Sequence, residues 1–219
     1  MAGRAVLWDL DGTLLLSKLS IRETMNTVLA ERGLPGFTKD ELAGLIGHPL
    51  RAILATKTPD QAAVDAMALR YREAYNESGW VTVRAAPGLP DLLLGLRQDG
   101  IGIGIVTSKG QQETEILLAD LGLAHLVDAI VGDDDARPLK PDPAPVRAAL
   151  GLLGGVAPDH AVMVGDTTFD VAAAKAAGVP AVGVLWGTHD KATLLAAGAT
   201  TTVKDAKELA RALRKLLDG

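Results

Sequence analysis

The stretch Arg4-Ala5-Val6-Leu7-Trp8-Asp9-Leu10-Asp11-Gly12-Thr13 decides how the rest of the chain is read. Its apolar run has the length of a buried strand and ends on an acid. Asp11 follows two residues later, and Gly12 lets the chain turn sharply. In an open parallel sheet, ligands bind beyond the carboxyl ends of the strands, so Asp9 stands where catalytic groups are expected. Two carboxylates this close repel each other and resist ionising together. A divalent cation relieves that repulsion, and hard oxygen donors suit magnesium. The other reading of the pair is two acids capping a turn.

Outward from this stretch, short apolar runs alternate with amphipathic segments. Strands are expected over 4–8, 101–106, 126–131, 161–164 and 181–185, and helices over 89–98, 111–121, 143–153 and 170–177. That rhythm argues for an α/β fold with a Rossmann-like parallel sheet covered on both faces. A further helix over 208–217 has an apolar stripe suited to packing on the same core. One region departs from the rhythm. From 17 to 83 the periodicity is helical, with Ile21, Met25, Val28 and Leu29 on one face, Leu42, Leu45 and Ile46 on another, and a longer helix over 62–75. Gly33-Leu34-Pro35-Gly36 separates the first two. The expected organisation is a core of 1–16 and 84–219 with a helical cap of 17–83 inserted into it.

Composition narrows the function classes. The chain has 219 residues and a net charge of −5, with no basic tract, which disfavours nucleic-acid binding. No apolar run is long enough to span a membrane. Aromatic residues make up only 3%, so the core must be aliphatic. The absence of cysteine removes thiolate metal sites. No secretory signal is visible at the start, and a cytoplasmic enzyme, monomeric or homodimeric, is the expectation.

Three later strand ends carry chemistry of the same kind. Ile105-Val106-Thr107-Ser108-Lys109 places a hydroxyl and the next backbone N–H where phosphate oxygens can be held; a cap of the following helix by Thr107 or Ser108 explains them as well. In Leu139-Lys140-Pro141-Asp142-Pro143, prolines stiffen the backbone around a lysine that can neutralise a carboxylate and a phosphoryl group together. Val164-Gly165-Asp166-Thr167-Thr168-Phe169-Asp170 ends a further strand with a third acid. Asp170, four residues on, is suited to support a metal ligand or Lys140. Local capping accounts for each of these separately. It does not account for an acid pair, a hydroxyl, a lysine and a second acid pair arriving in that order at the strand ends of one sheet.

This set resembles the haloacid dehalogenase superfamily over nearly the whole chain. The resemblance implies a core with strand order 3-2-1-4-5 and an inserted cap. It implies Asp9 as a nucleophile that becomes an aspartyl-phosphate, and Asp11 as the acid that protonates the leaving group and then activates water. Asp9, the Asp11 backbone carbonyl and Asp166 would hold Mg2+. Thr107, Ser108 and Lys140 would bind the phosphoryl group, with Asp170 in support. Leu185-Trp186-Gly187 and Ala196-Ala197-Gly198-Ala199 match the family's closing segments.

Within that family, Asp11 argues against carbon–halogen cleavage, because the true dehalogenases lack it. Ile46-Gly47-His48-Pro49-Leu50-Arg51 resembles the phosphoglycolate phosphatase branch. Arg51 is expected to recognise a substrate anion and His48 to contact substrate from the cap; exposed helical roles are the alternative for both. The expected partner is a small phosphorylated metabolite. A phosphomutase of the beta-phosphoglucomutase type is the second reading, but that branch typically carries Val and His where Thr13 and Ile21 stand. A catalytically idle regulatory domain is the third, and intact Asp9, Asp11, Lys140 and Asp166 speak against it. Leu16 stands where the phosphatase branch usually has an acid or amide. His125, His160 and His189 are expected to be solvated, Trp8, Trp80 and Trp186 to be packing residues, and Asp133-Asp134-Asp135 to form a solvated loop.

Overall fold

The computed structural model describes residues 3–79, 81–134 and 137–218. Trp80 and Asp135 lie outside the described residues. In chain order the elements are β1 (Ala5–Trp8), β2 (Leu15–Leu16), α1 (Lys18–Ala30), α2 (Lys39–Ala43), α3 (Leu50–Ala55), α4 (Gln61–Ala74) and β3 (Arg84–Ala85). They continue with α5 (Leu89–Gln98), β4 (Gly102–Gly110), α6 (Gln111–Asp120), β5 (Ala129–Asp133), α7 (Ala144–Leu152), β6 (Ala161–Gly165) and α8 (Thr168–Ala177). The last are β7 (Ala181–Val184), α9 (Lys191–Ala197), β8 (Thr201–Val203) and α10 (Ala206–Leu217).

The chain divides into two compact units, Met1–Leu15 with Ala85–Gly219, and Leu16–Arg84. The larger unit holds a six-stranded sheet in the order β5-β4-β1-β6-β7-β8, with every recorded pairing parallel. β1 sits at its centre and is buried along its whole length, which is why it reads as an unbroken apolar run. Ala5 and Leu7 of β1 join Val146, Ala149 and Leu150 of α7 and Val171, Ala173 and Ala174 of α8 in one core cluster. α5 and α10 pack against each other and against strands of the same sheet. Because the strands are parallel, the ends of β1, β4, β6 and β7 emerge along one edge, and the site residues of this unit gather there.

The strands of the sheet depart from expectation by more than a residue at β4, β5 and β8. β4 continues to Gly110, past a register irregularity after Val106. The strand expected over 126–131 begins at Ala129, because residues Ala124–Leu126 close a 3-10 turn first. β8, beside β7, is a sixth strand beyond the expected five; at three residues, two of them threonine, it has no apolar run to announce it.

The smaller unit is helical. Ile21, Met25, Val28 and Leu29 of α1 are buried, as are Val64, Met67, Ala68 and Tyr71 of α4, and these two helices pack together. Arg70 of α4 reaches Glu31 at 3.1 Å. A π-helical turn, Tyr75–Gly79, extends α4. No helix among the described residues is long and apolar enough to cross a membrane.

Candidate active site

β1 delivers Asp9 to the sheet edge, where its N–H donates to Val164 O at 2.9 Å and extends the β1–β6 ladder by one residue. Asp9 is 7% exposed. The chain then turns through Gly12, whose φ of +96° suits glycine. A Cβ on Gly12 would lie 2.4 Å from Asp166 Oδ2, so the turn needs glycine for space as well as for φ. Asp11 Oδ2 accepts from Lys109 Nζ at 3.1 Å, while Asp11 Oδ1 is buried with no hydrogen-bond partner.

At the end of β4, Thr107 Oγ1 accepts from Lys109 N at 3.1 Å, and Ser108 Oγ is buried without a partner. Neither hydroxyl caps α6. The residue before that helix is Gly110, which makes no side-chain cap.

Lys140 follows β5 and is 5% exposed. Its ammonium donates to Asp9 Oδ1 at 2.7 Å, Asp170 Oδ1 at 2.5 Å and Val106 O at 2.8 Å. An ammonium has three protons to give, and here all three are taken.

Asp166, fully buried at the end of β6, accepts from Thr13 Oγ1 at 3.2 Å on Oδ1 and from Thr188 N at 2.6 Å on Oδ2. It does not cap α8. Thr167 does, in a reciprocal box with Asp170. Asp170 Oδ2 accepts from Thr167 N at 2.9 Å and from Thr167 Oγ1 at 2.7 Å, which leaves Oδ1 for Lys140. Gly165 makes room for this, since a Cβ there would lie 2.3 Å from Asp170 Cβ.

Oxygens of Asp9, Asp166 and Asp170 lie within 4.8 Å of one another, all three residues buried. Burial raises the Asp9 pKa well above the usual carboxylate value, and Asp170 and Asp166 add to the rise against the opposing pull of Lys140. Burial alone would lower the Lys140 ammonium, but Asp170 and Asp9 outweigh it and hold its pKa above that of a free lysine. Lys140 is therefore charged, and three acids face a single ammonium. The shortfall is two positive charges, which one divalent cation would supply. The donors are all oxygen, which suits Mg2+. Asp9, Asp166 and Asp170 are the side chains that could hold the ion, with Asp170 also paired to Lys140. The residues fit it.

The sequence profile of the haloacid dehalogenase-like hydrolases matches residues 6–184. The chain belongs to this family. It is 37% identical over 186 residues to a phosphoglycolate phosphatase of Xanthomonas campestris pv. campestris, covering 84% of each chain. It is 36% identical over 194 residues to that of Rhodospirillum rubrum, covering 84% of this chain and 80% of that one. A haloacid dehalogenase-like hydrolase from Streptococcus pneumoniae superposes with a TM-score of 0.85 at 26% identity, covering 96% of this chain and 98% of that one.

Of the residues read from the sequence of this hydrolase, Asp9, Asp11, Thr107, Ser108, Lys140, Asp166 and Asp170 all belong to the larger unit, at the carboxyl edge of its sheet. Asp9, Lys140, Asp166 and Asp170 form one connected cluster. His48 and Arg51 belong to the smaller unit. Arg51 Nε donates to Asp65 Oδ1 of α4 at 2.9 Å, with 44% of its side chain exposed. Sequence reading missed Thr13 and Lys109, whose partners Asp166 and Asp11 are 153 and 98 residues away. It also misjudged His189. That ring is half-buried, and its Nδ1 accepts from Thr168 N at 3.0 Å instead of lying in solvent. Trp186, half-buried, donates from Nε1 to Thr13 O at 2.9 Å.

Proposed function

We propose that this protein is a magnesium-dependent phosphatase that hydrolyses a small phosphomonoester of the phosphoglycolate kind, acting in the cytoplasm. The observation that carries the reading is the buried Asp9–Lys140–Asp170 chain beside Asp166 at the open edge of the sheet. The names borne by relatives more than a third identical support the substrate class.

Asp9 carries the nucleophilic oxygen. It attacks phosphorus in line, a P–O bond to Asp9 forms, and the P–O bond to the leaving alcohol breaks. Asp11 gives that alcohol its proton. Asp11 then takes a proton from the incoming water, whose oxygen displaces Asp9 and releases phosphate. When bound, the cation neutralises charge on the phosphoryl oxygens and on Asp9. Lys140 holds Asp9 in place and offsets its charge. Ser108 Oγ, buried and unpartnered, and the Thr107 hydroxyl suit the phosphoryl oxygens. The helical unit, which carries His48 and Arg51, is the candidate for substrate selection.

Phosphate release from a panel of phosphomonoesters, with magnesium and with chelator, tests the reading. The expected result is metal-dependent turnover that favours a small acid phosphate, and its loss in Asp9→Asn without loss of the fold. A panel with no metal-dependent turnover, or a substantially active Asp9→Asn enzyme, overturns it.

A further inference from the structure

The segment 186–189, directly after β7, holds none of the residues assigned a chemical role above, yet it is bound to the candidate cation site at four points. Trp186 Nε1 donates to Thr13 O at 2.9 Å. Thr188 N donates to Asp166 Oδ2 at 2.6 Å. His189 N donates to the Asp166 backbone oxygen at 3.0 Å. His189 Nδ1 accepts from Thr168 N at 3.0 Å, at the start of α8. Between them, Gly187 passes so close that a Cβ would lie 2.1 Å from Asp166 Cβ.

These contacts have a common object. The Asp166 carboxylate is held from two sides, Oδ1 by Thr13 and Oδ2 by Thr188. Trp186 binds Thr13, which is the other holder, so the loop after β7 and the turn after β1 are joined to each other as well as to Asp166. Asp166 and Asp9 lie on neighbouring strands, and a cation shared between them needs their separation fixed. Losing a partner that orients a metal ligand typically costs about 10- to 100-fold in metal affinity. A bound and oriented Asp166 also spends less entropy when an ion arrives.

We propose that residues 186–189 are the positioning element of the cation site, with Trp186 and Gly187 setting its affinity through Thr13 and Asp166 and touching neither the ion nor the substrate. The inference rests on the cation reading proposed above. Trp186→Phe keeps the ring and removes the N–H donor; Gly187→Ala inserts a methyl against Asp166. Magnesium binding to the intact protein is measured by calorimetric titration without substrate, together with the melting temperature with and without the ion. Trp186→Phe is expected to melt as the wild type does in chelator, to raise the magnesium Kd about tenfold, and to leave the substrate KM at saturating magnesium unchanged. Gly187→Ala is expected to raise the magnesium Kd by about a hundredfold. Combined with Thr13→Val, Trp186→Phe is expected to give less than the sum of the two effects, since both act on Asp166. An unchanged magnesium Kd in Trp186→Phe overturns the proposal whether or not Gly187→Ala folds, and leaves the phosphatase reading intact. A wild-type protein that binds magnesium but hydrolyses no ester overturns the phosphatase reading, while the Kd ratio still decides this one. A wild-type protein that binds no divalent cation overturns both.

Discussion

Lys140 is the residue on which the charge balance of the site turns. It is buried, charged and bonded to two carboxylates and a carbonyl. Removing one partner from a buried ion pair leaves the other uncompensated, which costs about 3–5 kcal/mol. Lys140→Met is therefore expected to lower unfolding free energy by about that amount in urea titrations, and to lower kcat by about 100-fold or more. Asp9 shows the opposite balance. Its folded pKa lies above 3.8, so in metal-free protein its proton stabilises the fold below that pH, and the stabilisation is lost as pH rises through the folded value. In chelator at neutral pH, Asp9→Asn is expected to melt above the wild type. The gap should shrink on acidification and reverse when magnesium is added. A scan of melting temperature against pH, with and without the ion, checks both signs. Asp9 and Asp166 stood out in the sequence because each directly follows an apolar strand, and Lys140 because prolines stiffen the stretch Leu139-Lys140-Pro141-Asp142-Pro143. Thr13 was legible only as a family marker, because its bond to Asp166 spans 153 residues and leaves no local trace.

At the scale of elements, the site depends on how helices begin. The Thr167–Asp170 box starts α8 and at the same time aims Asp170 at Lys140. Thr167→Ala is expected to cost about 1 kcal/mol of stability for the lost cap and to lower kcat as well, with Thr167→Ser restoring both. The start of α6 is pressed against β5. A Cβ on Gly132 would lie 2.7 Å from Gln111 Cα, and Gly132 N donates to Gln111 Oε1 at 2.8 Å. Gly132→Ala should overpack this junction, cost about 1–3 kcal/mol in urea unfolding, and disturb the neighbouring Thr107–Lys109 strand end. Helices α5 to α8 and the buried faces of α1 and α4 were readable from periodicity alone, since packing of an apolar stripe makes them. β8 and α9 were not. One is too short and too polar, and the other too short, for a pattern to develop.

For the whole molecule, the two units carry different expectations. Every candidate cation ligand belongs to the larger one. Magnesium at a hundred times its Kd adds about 2.7 kcal/mol of stability, or roughly 5–10 °C in melting temperature for a chain of this size. Amide hydrogen exchange is expected to slow on adding the ion at the ends of β1 and β6 and in residues 186–189, and to stay unchanged in α1 to α4. Slowing spread evenly over both units would contradict the assignment of ligands. The change from alternating strand and helix to purely helical periodicity over 17–83 is legible in the sequence. Which polar groups meet at the sheet edge was only partly visible, because parallel topology assembles them from segments more than a hundred residues apart.

Gly12, Gly165 and Gly187 each stand where a methyl group would collide with Asp166 or Asp170. None has a side chain to contribute, yet a library of random variants screened for activity should be depleted at these three codons about as heavily as at the aspartates themselves. Laboratory evolution of this enzyme toward new esters would therefore find its freedom in other parts of the chain, with the empty space around its acids held as firmly as the acids.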